Sequence, residues 1–215
     1  WLWGKIHLRG RSRSPSGTGE RLGYMRGSFA RLVDALVHRV EAQGGILHLK
    51  EAVTRVEREG DELAVVTPRG RYTARRVLVA AAVEDHLATC GHLLADAERR
   101  RLERLESTGA LCTVLELDRS LTPYYWLNIA DRAMPFGGLI EHTNYIPASR
   151  YGGRHILYIS NYVFPDHTLY RAPRGRVLET YLPALGRIDP TFDEASILAV
   201  HHFRAASAQP VVTPG

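Results

Sequence analysis

Apolar residues recur at helical spacing over Phe29, Leu32, Val33, Leu36, Val37 and Val40, which predicts an amphipathic helix over 28–43. Ser28 stands where an N-cap would, and Gly44-Gly45 where a left-handed turn would end the helix. The period then changes. Residues 46–56 read as a strand, Glu59-Gly60-Asp61 as a turn and 62–67 as a second strand. Pro68-Arg69-Gly70 turns the chain into 71–82, where Val77 to Ala82 is an unbroken apolar run suited to a strand covered on both faces.

Beyond this unit, residues 84–106 carry Leu93, Leu94, Ala97, Leu102 and Leu105 among charges and read as a helix. Strands are expected at 111–117, 124–129, 138–143, 155–163 and 197–203. A helix is expected at 175–185, with Pro183 as an early stop. Helices and strands alternate irregularly with several hairpins, so the class is α+β with a largely antiparallel second part and flanking helices. There is no internal repeat.

Composition narrows this little. Of 215 residues 45% are hydrophobic and 24% charged, a globular balance that excludes a disordered chain. No apolar run reaches the roughly 20 residues of a membrane-spanning helix. Two cysteines, Cys90 and Cys112, exclude a disulfide framework and make a reducing, cytoplasmic compartment the expectation. The chain opens Trp1-Leu2-Trp3 without Met or a signal peptide and closes on Val211-Val212-Thr213-Pro214-Gly215 without a polar tail. Natural termini are usually polar, so a piece cut from a longer protein is expected. The net charge of +5 comes from arginine, densest at Arg9, Arg11, Arg13, Arg21 and Arg26 among Ser and Gly. That run suits a solvated loop or a phosphate contact. No stacking-aromatic RNA motif or helix-turn-helix pattern points to nucleic acid.

Familiar chemical signatures are missing. There is no G-x-G-x-x-G, no phosphate-binding loop and no G-x-S-x-G. Ser14 to Gly19 is glycine-rich, but no buried strand precedes it. The ten histidines give no metal spacing; His201 and His202, adjacent on a strand, point to opposite faces. The densest chemistry runs from Pro123-Tyr124-Tyr125-Trp126-Leu127-Asn128-Ile129 to Pro135-Phe136-Gly137-Gly138-Leu139-Ile140-Glu141-His142-Thr143-Asn144. Aromatic walls with a few Asn, His and Glu handles suit a small-molecule pocket, or equally an aromatic core strand beside a polar turn. Gly137-Gly138 in a strand suggests close approach by a backbone or a ligand. Gln209 lies either at such a pocket or at a strand end.

The stretch Leu22-Gly23-Tyr24-Met25-Arg26-Gly27-Ser28-Phe29, the helix after it, Gly44-Gly45 and Leu47 to Val56 resemble the middle of flavin-dependent amine oxidases, protoporphyrinogen oxidases and phytoene desaturases. There the form is G-Y-P-x-G-G, a helix, G-G and a strand. Tyr124 to Asn144 and Ala208-Gln209-Pro210 resemble a bacterial subgroup of that superfamily. The resemblance implies a partial FAD-binding domain of helix, strand and β-hairpin at 23–83. It implies a substrate-binding domain from 1–22 and 84–215, with an antiparallel sheet roofing the flavin. Val53 matches the valine whose backbone faces the adenine end of FAD. Met25 and Ser28 depart from the usual proline and glycine. The dinucleotide fingerprint is also absent, so an isolated fragment that neither retains FAD nor turns over is expected.

Three functions stay open. The first is an FAD-dependent oxidoreductase that oxidises an amine or a carbon–carbon bond by hydride transfer. Its substrate wall would comprise Tyr124, Tyr125, Trp126, Asn128, Glu141, His142 and Asn144. Glu141 or His142 would serve as proton acceptor, at most one of them lining the pocket. The second is a flavin-dependent nucleotide-sugar mutase using Arg9, Arg11, Arg13, Arg150 or Arg154 for the diphosphate. The third is a non-catalytic binding domain. Its exposed apolar face would be covered by missing FAD-domain segments or by a second copy in a homodimer.

Overall fold

The computed structural model describes residues 23–211. The glycine-rich run at 14–19, the basic residues Arg9, Arg11, Arg13 and Arg21, and the 1–22 portion of the expected substrate domain lie outside the described residues. The chain divides into two compact units, Trp1–Ala52 and Val53–Gly215.

In the first unit the expected helix is α1 (Ala30–Ala42). Gly27 and Ser28 both take positive φ, 85° and 75°, so Ser28 is a turn residue rather than the N-cap. Its Oγ still accepts the Ala30 N–H at 3.2 Å. At the other end Gly44 has φ 81°, and the Gly45 N–H reaches back to the Val40 carbonyl at 2.9 Å. A Cβ on Gly45 would stand 2.5 Å from Val40 Cγ1 and 2.9 Å from Val40 O, so only glycine fits there. The apolar stripe of α1 (Phe29, Leu32, Val33, Leu36, Val40) is exposed. Residues 46–52 form no strand, and Ile46 and Leu49 are exposed. An extended segment needs a hydrogen-bonded neighbour to become a strand, and none is present among the described residues.

The second unit opens with an antiparallel meander of β1 (Arg55–Glu59), β2 (Glu62–Thr67) and β3 (Gly70–Ala74). The expected strand at the end of 71–82 does not form. Residues 77–82 are irregular and Leu78 is 93% exposed, for the same want of a neighbour. The single helix expected over 84–106 is broken into α2 (Val83–Cys90), a 3₁₀ turn at Gly91–Leu93, and α3 (Asp96–Glu103). Leu94 and Ala95 are extended, and Asp96 and Glu98 start a new first turn where acidic groups favour the helix dipole.

Five antiparallel strands follow: β4 (Ser107–Leu117), β5 (Trp126–Asn128), β6 (Gly138–Glu141), β7 (His155–Val163) and β8 (Ile197–Pro210), in the order β5-β6-β7-β4-β8. One face packs on α5 (Arg174–Ile188), which follows the short α4 (Thr168–Arg171). Leu111, Leu115 and Leu117 of β4, Leu139 of β6 and Leu157 and Ile159 of β7 meet Val177, Tyr181, Ala184 and Leu185 of α5. Pro183 sits inside α5 instead of ending it. Its ring is exposed while the residues around it are buried, so packing outweighs the roughly 3 kcal/mol that an interior proline costs. The architecture is the α+β one expected, with a mostly antiparallel sheet and flanking helices.

Candidate functional site

Strand pairing decides what stands on the sheet face opposite α5. Because side chains alternate, the cross-strand partners of non-core residues share that face. One row reads Trp126–Ile140–Tyr158–Val114–His201, and the next Asn128–Gly138–Ser160–Cys112–Phe203. A third begins Tyr162–Ala110–Ala205. Trp126, Tyr162 and Phe203 are each more than half exposed, so aromatic surface is turned outward where the other face buries leucine. The Trp126 indole N–H donates to Asn128 Oδ1 at 2.9 Å, which fixes both side chains on this face. Burial of the Cys112 thiol raises its pKa, so it stays protonated at neutral pH.

Charge gathers at the far end. Glu116 accepts from His201 at 2.7 Å and from Arg154. The Arg154 guanidinium first, and His201 second, hold the Glu116 carboxyl below its ordinary value. His201 and His202 do point to opposite faces: His202 Nδ1 lies 2.9 Å from Thr113 Oγ1 on the core side.

The cluster at Glu141–Asn144 separates into frame and face. Glu141 is 1% exposed. Its Oε1 accepts the Ser120 hydroxyl at 2.6 Å and the Leu121 N–H at 3.0 Å, and Oε2 accepts the Thr122 N–H at 2.7 Å. The Asn144 amide donates to the Thr122 and Tyr124 carbonyls at 2.5 and 3.0 Å. Thr143 Oγ1 accepts the Ile156 N–H at 3.1 Å. These three residues staple the 120–124 segment and β7. His142 instead sets its Nε2 2.6 Å from the Tyr151 hydroxyl. Its ring meets Tyr151 and Tyr158 edge-on, with centroids 5.4 and 6.2 Å apart. Tyr158 belongs to the open face, so His142 stands at that face's margin. Burial holds its pKa below the usual value, so the ring is neutral at neutral pH.

Of the residues singled out in the sequence, Trp126 and Asn128 come together on the open face, and His142 stands at its margin against Tyr158. Tyr124 is exposed beside them, and Tyr125 packs on Tyr145 with ring centroids 5.1 Å apart. Glu141 and Asn144 are turned into the frame. Val53, 42% exposed, opens the second unit just before β1, next to Thr54, whose N–H donates to the Val66 carbonyl of β2 at 2.8 Å. Gln209 lies on β8, its carbonyl accepting from Thr108 Oγ1. Sequence reasoning missed Tyr158, Ser160, Cys112, Tyr162 and Phe203, which only strand register places beside Trp126. A pocket of 550 Å³ between the β5–β6 loop, β7 and α4–α5 is lined by Ile129, Pro135, Phe136 and Gly137 of the aromatic stretch, with Met134, Asn161 and Leu169 among others, and by none of the seven substrate-wall residues.

The second unit thus presents an antiparallel sheet with one face backed by a helix and the other open and aromatic. Residues 9–210 match the family of flavin-containing amine oxidoreductases, and the chain belongs to that family. No curated protein matches it. Among solved structures, an Exiguobacterium protein provisionally described as a protoporphyrinogen oxidase superposes with TM-score 0.66 at 17% identity, covering 84% of this chain and 40% of its own. An oxidoreductase from Methanosarcina mazei gives TM-score 0.66 at 20% identity, with 85% and 43% covered. Reduced UDP-galactopyranose mutase gives 0.62 at 11% identity, with 85% and 39% covered. These likenesses establish a shared fold. The chain spans about two fifths of the length of these structures.

Proposed function

We propose that this chain is the central part of an FAD-dependent oxidoreductase that takes a hydride from an amine or a carbon–carbon bond, and that the open sheet face is its substrate side. The observation that carries this reading is the outward aromatic surface of Trp126, Tyr162 and Phe203 on a sheet whose other face is a closed core. When bound, the flavin would supply the redox chemistry. The described residues suit a planar ring and not a pyrophosphate. The open face is aromatic, whereas the sequence has no G-x-G-x-x-G turn to bind phosphate at a helix N-terminus.

The chain's own residues orient and exclude. Trp126, Asn128 and Tyr124 wall the substrate, and Tyr125 backs them through Tyr145. His142, neutral and buried, is the candidate to receive a proton left on the substrate. Glu141 and Asn144 act by holding the 120–124 segment in place.

Residues 23–83 would complete an FAD domain with segments of the same protein outside this chain. Those segments would cover the exposed stripe of α1 and Leu78; a second copy is the other occupant, giving a homodimer. The free thiols of Cys90 and Cys112 support a cytoplasmic location. The nucleotide-sugar alternative draws on the mutase fold likeness, but Arg154, one of its diphosphate candidates, is already engaged by Glu116.

The test is purification of the full-length protein and of this chain, each followed by a visible spectrum and turnover with His142→Ala. A yellow full-length protein, a colourless, inactive chain and lost turnover in the variant are expected. A colourless full-length protein removes the flavin reading. Full turnover in the variant removes the His142 role. Saturable binding of a nucleotide sugar selects the mutase reading.

A further inference from the structure

The second row of the open face is unlike its neighbours. Gly138, Ser160 and Cys112 sit side by side on β6, β7 and β4, closed by Asn128 at one end and Phe203 at the other. Three adjacent small side chains leave a trough. Rows two residues apart on a strand are about 7 Å apart, so Trp126, Ile140, Tyr158 and Val114 form one wall. Tyr162 rises on the other side. Three strands at about 4.8 Å spacing give the floor a length of roughly 10 Å, with the end residues one strand further on each side.

Nothing inside the protein demands glycine at 138. Its backbone is buried, yet a Cβ there would meet only the Leu127 carbonyl, at 3.4 Å. The space above it is therefore open for something else. Neither of the two rows holds an Asp, Glu, Lys or Arg; among the described residues, Glu116 with its partners Arg154 and His201 stands at the far end of this face, and Glu84 accepts from Ser207 of β8 beyond Phe203 and Ala205. Asn128 Oδ1 is taken by Trp126, which leaves its amide N–H groups and the Ser160 hydroxyl as the polar contacts at the floor.

We propose that this trough is the substrate subsite, that it takes an uncharged, flat, unsaturated ring entering between the Trp126–Tyr158 wall and Tyr162, and that Gly138 sets its depth and so the substrate's size. This rests on the open face being the substrate side. A ring about 3.5 Å thick fits between such walls and gains contact with exposed aromatic faces. A charged ligand would lose its hydration with no partner on the floor.

The 215-residue chain itself can be tested with 2-naphthol as the probe and 2-naphthoate as its charged counterpart, followed by amide and side-chain NMR. 2-Naphthol is expected to shift the Gly138, Ser160 and Cys112 amides and the Asn128 side-chain amide in a saturable way, and 2-naphthoate to bind more weakly. Gly138→Val and Ser160→Val fill the trough with strand-compatible side chains and are expected to weaken 2-naphthol about tenfold or more. Gly138→Ala, which the backbone accommodates, covers the case in which either valine variant does not fold; it is expected to weaken the probe measurably. Shifts confined to other regions, such as the pocket around Asn161, overturn the proposal, as does unaltered binding in the folded variants. Because the probe experiment needs no flavin, a colourless full-length protein with intact trough binding would sink the oxidoreductase reading alone. A yellow, active protein whose trough ignores the probe would sink this inference alone.

Discussion

Glu141 Oε2 accepts the backbone N–H of Thr122 at 2.7 Å, across 19 residues of chain and at a point where the carboxylate is almost wholly buried. A buried carboxylate is tolerated only when hydrogen bonds replace its hydration. Here two N–H groups and the Ser120 hydroxyl do so. Glu141→Ala strands the Leu121 and Thr122 donors in the interior. A loss of about 2–4 kcal/mol is expected in urea unfolding of this chain. Glu141→Gln, which keeps one acceptor, should lose less. A loss under about 0.5 kcal/mol for the alanine variant would show that the staple does not hold the segment.

Tyr181 gives a prediction of the opposite sign. Its ring is fully buried, and its hydroxyl makes no hydrogen bond of good geometry among the described residues, with the Asn161 side chain beside it. Tyr181→Phe removes an unsatisfied group without opening a cavity, so stability at neutral pH should be unchanged or higher.

The same residue sets an alkaline limit. Burial pushes the Tyr181 phenol up to about 12, from an ordinary value of 10.0. The folded state thus keeps a proton that the unfolded state gives up. The stability is fully present below pH 10.0 and is lost as pH rises towards about 12. Tyr181→Phe should flatten that part of the stability profile, and tyrosinate absorbance should show one phenol fewer titrating at the alkaline end. An unchanged profile would contradict the burial argument.

Glu116 works on the acid side. Arg154 and His201 depress its pKa, so its contribution is present above the ordinary 4.5 and is lost as pH falls through the lower, folded value. Arg154→Met removes the larger cause and should move the Glu116 carboxyl carbon titration back up in NMR. No movement would mean that the ion pair does not persist in solution, as many surface pairs do not.

Gly45 is required by contact rather than by backbone angle. A Cβ there collides with Val40, so Gly45→Ala should cost about 1–3 kcal/mol, read as lost hydrogen-exchange protection in α1. Gly44→Ala, where open space surrounds the site but φ is 81°, should cost through strain alone, about 1 kcal/mol.

Periodicity and turn chemistry carried the local elements. Leu32, Val33, Leu36 and Val40 announce α1, and Glu59-Gly60-Asp61 announces the β1–β2 turn, because both signals lie between residues a few positions apart in the chain. The segments that failed, 46–52 and 77–82, are apolar runs whose strand state needs a partner, and a partner is not a local property. The candidate site divides the same way. Trp126 and Asn128 share a face by simple alternation. Tyr158, Ser160, Cys112 and Phe203 join them only through hydrogen-bonded register across β7, β4 and β8, up to 91 residues apart between Cys112 and Phe203 (203 minus 112).

What the amino-acid order determined by itself is the α+β class, the resemblance to flavin oxidases and the alternation that puts Trp126 and Asn128 on one face. All of these are written in neighbours a few positions apart. The strand expected over 138–143 ends at Glu141, and His142 opens a 3₁₀ turn. Only the tertiary structure decided that Glu141 is buried and holds the 120–122 segment by three hydrogen bonds. It alone lined three small residues from three strands into one trough. Hydrogen-bond satisfaction and strand register are properties of pairs distant in sequence, and their energies appear only when folding brings those pairs together.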